Sequence, residues 1–171
     1  MTDDERSGGR GRDETPEERA DRLWGEMLQE VRVCQTGAQI LFGFLLSVAF
    51  TPRFPTLPDF DRRLYVATVF LGALATGTLI APVAFHRFLA GHGMKPELIR
   101  IAGRLISLGL VLLALTITAA LLLLLRTATE LSATAWVLTG VALAWFCVSW
   151  LVLPQLVLHR RPDARRARPP R

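Results

Sequence analysis

Apolar and polar positions in this chain are segregated rather than interleaved. Charge-free runs cover residues 33–52, 64–86, 105–125 and 131–159, and charged residues fall at their ends and joints. About 20 apolar residues of helix cross the hydrocarbon core of a bilayer, so each run is long enough to span it. The pattern predicts an all-α membrane protein, a bundle of four transmembrane helices at about 33–50, 64–85, 104–125 and 131–153. The first predicted span differs from the others. On a helix turning about 100° per residue, Arg32, Gln35, Thr36, Gln39, Gly43 and Ser47 fall on one narrow stripe, with apolar residues elsewhere.

Ahead of the spans, residues 1–14 show no apolar periodicity and read as a disordered tail. Thr15, Pro16 and Glu18 then carry the signature of a capped helix start: a hydroxyl N-cap, proline at the first helical position and a glutamate closing a capping box. Ala20, Leu23, Trp24, Met27, Leu28 and Val31 recur at three- and four-residue spacing. Residues 15–32 therefore read as an amphipathic helix at the membrane interface, either running into the first span or breaking from it near Glu30. Three prolines between residues 51 and 63 predict a non-helical connector. In the second span Ala73, Gly77 and Ala81 form a ladder of small residues that lets helices pack closely in lipid. Pro82 is expected to kink or finish that helix and Pro154 to end the fourth. An Arg-rich tail occupies residues 154–171, which leaves residues 33–153 as the membrane domain.

Charge sets the orientation. Lysine and arginine near the spans concentrate on the N-terminal flank (Arg19, Arg22, Arg32), the second joint (Arg87, Lys95, Arg100, Arg104) and the C-terminal tail. The other two connectors hold only Arg53, Arg62, Arg63 and Arg126. The positive-inside rule then places both termini in the cytoplasm, and four spans satisfy it. The same tail is expected to attract anionic lipids, at about 1 kcal/mol per charge near the surface. Nucleic acid is not an expected partner. No cleavable signal segment is visible.

Candidate chemistry is sparse. Glu30, Arg32, Gln35, Thr36 and Gln39 read either as a solute path with its mouth at Glu30 and Arg32, or as packing groups hydrogen-bonded to neighbouring helices. Glu30 lies about 160° around the helix from Arg32, so the two do not form a pair on one face. The second, third and fourth spans contain no Asp or Glu, although proton and sodium relays usually place carboxylates near the midplane. His86 and Arg87 read as an interfacial anchor or a contact for lipid phosphate. His92 and His159 have no partners at metal-ligand spacing, so neither a zinc site nor any cofactor is expected. Cys34 and Cys147 read as small packing residues. The nucleophile and phosphate-loop motifs are missing, and an enzyme is not expected.

Residues 27–46, with the run Gln35-Thr36-Gly37 and the later pairs Pro82-Val83 and His86-Arg87, resemble an uncharacterised family of short actinobacterial integral membrane proteins. The resemblance covers about residues 24–153 and implies four spans in a bacterial plasma membrane but no reaction. A sodium–proton antiporter label on some relatives implies a rival reading as a small cation/proton transporter. The leading expectation is a non-enzymatic integral membrane protein that self-associates as a homo-oligomer.

Overall fold

The computed structural model describes residues 15–89, 95–129 and 132–159. Both expected tails, residues 1–14 and the arginines beyond His159, lie outside the described residues. Every regular element among the described residues is helical: α1 Pro16–Val48, α2 Asp59–Leu89, α3 Lys95–Ala128, α4 Ser132–Phe146 and α5 Leu153–His159. A 3-10 turn at Phe54–Thr56 interrupts the connector, and a π-helical turn at Cys147–Val152 joins α4 to α5. Four helical segments among the described residues are long and apolar enough to cross a membrane: Gly25–Val48, Asp59–Phe85, Ile101–Ala128 and Ala133–Leu156.

α1 starts as its sequence predicts. The Thr15 hydroxyl accepts from the Glu18 amide at 3.2 Å, and the Glu18 carboxylate accepts from the Thr15 amide at 3.0 Å. Two of the orphan donors at the helix start are thereby satisfied, and Pro16 has none to satisfy. From there 33 residues form one unbroken helix, so the amphipathic segment and the first span are a single element with no break at Glu30.

α2 and α3 form the central antiparallel pair, α1 packs against both, and α4 lies mainly on α3. The core joins Ala38 of α1, Ala75 and Leu79 of α2 and Leu113 of α3, with Cys34, Leu41, Leu112 and Ile117 around it. Alanines at two of these positions bring the helix backbones close, the usual device where lipid supplies no hydrophobic drive. Two glycines serve the same end. A Cβ on Gly109 would sit 2.7 Å from Leu79 Cδ2, and one on Gly72 would sit 3.1 Å from Phe42 Cδ2.

The ladder Ala73, Gly77 and Ala81 does not form this seam. Ala73 and Gly77 are exposed, Ala81 is half-buried, and nothing lies within 4 Å of where a Gly77 Cβ would be. The reason is register: α2 turns Thr68, Gly72, Ala75, Leu79 and Pro82 inward, which carries Ala73 and Gly77 to the outer face.

Neither proline ends its helix. α2 continues from Pro82 to Leu89, and the fourth span continues past Pro154 to His159. Proline removes one donor and its ring crowds the carbonyl four residues back. Ahead of Pro154 the backbone widens instead, with the Leu153 amide donating to the Val148 carbonyl five residues earlier. A π-turn of this kind makes room for the ring without stopping the helix.

Candidate functional site

The polar stripe of α1 divides between inside and outside. Val31, Ala38 and Leu45, seven residues apart, are buried and mark the inward side of the helix. Gln35 lies beside that side and is half-buried, whereas Glu30, Arg32, Thr36, Gln39, Gly43 and Ser47 are exposed. The Gln35 Nε2 donates to the Leu79 carbonyl of α2 at 2.7 Å. Pro82 lacks the amide that would bond the Thr78 carbonyl, and Leu79 is the next residue along that turn. A carbonyl oxygen has two lone pairs, so Leu79 can take the Gln35 amide as an acceptor, and the bond joins the two helices. Thr36 turns its hydroxyl back onto its own helix, donating to the Arg32 carbonyl at 3.0 Å.

Glu30, Arg32, Thr36 and Gln39 are therefore not gathered around a common space. Three apolar cavities lie elsewhere. One of about 130 Å³ runs between α3 and the π-turn, touching Leu110, Val111, Phe146, Cys147 and Trp150. Another of about 330 Å³ opens among α2, α3 and α4, beside Leu71, Leu115, Trp136 and Thr139. None of the three is lined by a residue of the stripe. Among the described residues no three His, Cys, Asp or Glu side chains come together as a metal-ligand group. Cys34 packs against the core and Cys147 is exposed. Arg87 is exposed on α2, and the side chain of its neighbour His86 lies outside the described residues.

Among the described residues the densest polar chemistry sits at the opposite end, around the proline-rich connector. α1 and α3 end there, and the last carbonyls of a helix lack partners within it. The Tyr65 hydroxyl of α2 donates to the Leu45 carbonyl at 2.7 Å, and Arg53 Nη2 donates to the Thr127 carbonyl at 3.1 Å. Arg62 Nη2 reaches back to the Pro55 carbonyl at 3.1 Å and holds the connector against the start of α2. Asp61, only 4% exposed, accepts from Arg126 Nε at 2.6 Å and ties the start of α2 to the end of α3. The Arg126 guanidinium also lies 4.7 Å from the centre of the Phe60 ring, and Phe60 stands against Trp136 of α4. α2, α3 and α4 meet at this cluster. The sequence reading had counted Arg53, Arg62, Arg63 and Arg126 for topology alone. The missed signal was geometric: in an antiparallel hairpin of two spans, Asp61 and Arg126 must come to the same end.

Comparison with known proteins adds one result. A family of unknown function, DUF6328, matches residues 13–154. The chain belongs to that family. Its extent takes in the first three membrane-length helices whole and the fourth as far as Pro154, so the DUF6328 domain covers nearly all of the bundle. Neither a curated protein nor a solved structure matches the chain.

Proposed function

We propose that the chain is a non-enzymatic integral protein of the bacterial plasma membrane, with both termini cytoplasmic, that acts through association with further copies of itself. The hydrogen bond from Gln35 to the Leu79 carbonyl carries this reading. It is the stripe's one side chain directed between helices, and it is used to hold α1 to α2. A solute path would need such groups to be open to a cavity. The orientation rests on the excess of Lys and Arg on the N-terminal flank, the second joint and the C-terminal tail. The rival reading, cation/proton antiport through Glu30, Gln35 and Gln39, requires those three to share a path, whereas Glu30 and Gln39 are exposed on the outside of α1.

Reconstitution in liposomes separates the two. The expected result is a discrete oligomer by single-molecule subunit counting, with no proton flux driven by a sodium or potassium gradient. A cation-dependent proton flux that disappears in Glu30→Gln and Gln39→Leu would overturn the proposal in favour of transport.

A further inference from the structure

Along the outer side of α1 the exposed residues Gln29, Arg32, Thr36, Gln39, Gly43 and Leu46 follow one another at alternating spacings of three and four. That is the a/d repeat of a left-handed two-helix seam, carried over more than two heptads. The seam lies about 130° around the helix from the buried line of Val31, Ala38 and Leu45, and its residues are exposed, so nothing among the described residues covers it. Its content is unlike that of a lipid-facing helix. Gln39 bears a primary amide, and no hydrogen-bond partner for it exists among the described residues. It lies seven residues beyond Arg32, about 10 Å deeper along the helix, inside the Gly25–Val48 span. Hydrocarbon offers such a group nothing to bond with, so an amide there is strongly disfavoured unless another protein surface meets it.

We propose that this seam is the contact with a second copy of the chain, the two α1 helices packing in parallel about a two-fold axis with Gln39 against Gln39. This rests on the self-association proposed above and names its surface. Four observations favour a second copy over any other occupant. The amide carries both a donor and an acceptor, and in a parallel two-fold pair a d-position residue faces its own mate, so Gln39 supplies its own complement. Gln39 is the deepest polar side chain on the seam, and sliding the pair by one heptad would set it against Arg32 or Leu46 instead of its mate, so it favours one register. Gly43, one turn further on, has nothing within 4 Å of where a Cβ would be, so it is free to admit a neighbouring backbone. Residues 33–52 contain no charge, so two identical seams do not repel at depth, while Arg32 at the polar end has a stem long enough to carry its guanidinium to the headgroups. The outward ladder of α2 is the competing surface. Ala73, Gly77 and Ala81 present no polar group, and lipid covers them without penalty.

The test uses the full chain in liposomes, with Cys34→Ala and Cys147→Ser removing the native thiols. Single cysteines are introduced as Gly43→Cys on the seam and Gly77→Cys on the ladder, and disulfides are formed by mild oxidation. A disulfide needs Cα atoms within about 7 Å, so only a residue at the contact will link. Gly43→Cys is expected to trap a covalent dimer, and Gly77→Cys to remain uncoupled. In subunit counting over a range of protein-to-lipid ratios, Gln39→Leu is expected to raise the dimer dissociation constant about three- to thirtyfold, the range for an interhelical hydrogen bond in a bilayer. Gln39→Asn, which keeps the amide, should retain much of the affinity, and Gly77→Leu should leave it unchanged. Linkage through Gly77→Cys with no effect of Gln39→Leu would overturn the seam and leave self-association standing. A monomer at every ratio would overturn both.

Discussion

The ion pair between Asp61 and Arg126 should break asymmetrically. Asp61 is the more deeply placed partner, with its side chain 5% exposed against 20% for Arg126. Arg126→Leu leaves a buried carboxylate without its cation, a change that costs about 3–5 kcal/mol in buried pairs. Asp61 lies in the first turn of α2, whose amide dipoles favour an anion by about 0.3–1 kcal/mol, so the net loss should be about 3 kcal/mol. Asp61→Asn removes less. The asparagine oxygen still accepts from Arg126 Nε, while the guanidinium keeps its place over Phe60 and its fifth of exposed surface. Exchanging a charge-assisted bond for a neutral one should cost about 1–2 kcal/mol. The double variant has neither an orphan anion nor an orphan cation, and it too should lose about 1–2 kcal/mol, far less than the sum of the singles. SDS-induced unfolding in mixed micelles measures all three, by far-UV circular dichroism and by tryptophan fluorescence, for which Trp136 beside Phe60 is a local reporter. A coupling energy within about 0.5 kcal/mol of zero would refute the reasoning, because independent sites add to that accuracy. So would an Arg126→Leu variant no less stable than Asp61→Asn.

Two further outcomes follow from the packing of α1, α2 and α3. Gln35→Leu should lower stability in the same assay by about 0.6–1.7 kcal/mol, the range for interhelical hydrogen bonds in membrane proteins, whereas Gln39→Leu, compared at a protein-to-detergent ratio low enough to keep the chain monomeric, should leave the folded chain as stable as before. Equal losses at the two positions would contradict the division of the stripe into an inner and an outer part. Gly109→Ala places a methyl 2.7 Å from Leu79 Cδ2 and 2.8 Å from its Cγ, and Leu79 is fully buried with nowhere to retreat. A loss of about 1–3 kcal/mol is expected there, against none for Gly77→Ala, whose added methyl meets nothing.

What the sequence made legible followed from one-dimensional rules. Runs of charge-free residues located the four membrane-length helices, because the bilayer imposes a minimum length that composition alone reveals. Thr15, Pro16 and Glu18 announced the start of α1, because a capping box is local chemistry. Rotation about a helix axis relative to its neighbours was not legible. Ala73, Gly77 and Ala81 have the spacing of a packing ladder, yet the seam formed one register away at Gly72, Ala75 and Leu79, where Gly109 of α3 gives Leu79 room. A small-residue pattern states that close approach is allowed, not which face makes it. The expectation that Pro154 ends its helix failed for a related reason. Pro82 and Pro154 each remove one hydrogen bond, but helices held on both sides by packing, or widened into a π-turn, continue through them.

The polar stripe of α1 shows why the candidate site divided as it did. Gln35 and Gln39 are one turn apart and chemically identical, so nothing in their own chemistry distinguishes packing from exposure. The neighbouring helix does. Gln35 stands half-buried beside α2 and its amide reaches the Leu79 carbonyl in the turn before Pro82. Gln39 is turned about 40° further from the buried line of α1 and is exposed. An amide in hydrocarbon is costly unless a partner meets it, which is the ground for the proposal that Gln39 meets a second copy. In the first and fourth spans few residues are buried, 17% and 6% of the most apolar stretch of each, so most of their side chains stay accessible. In such a protein specificity has more room on the outside of the helices than between them, and the experiment that decides its role is the one that identifies what Gln39 touches.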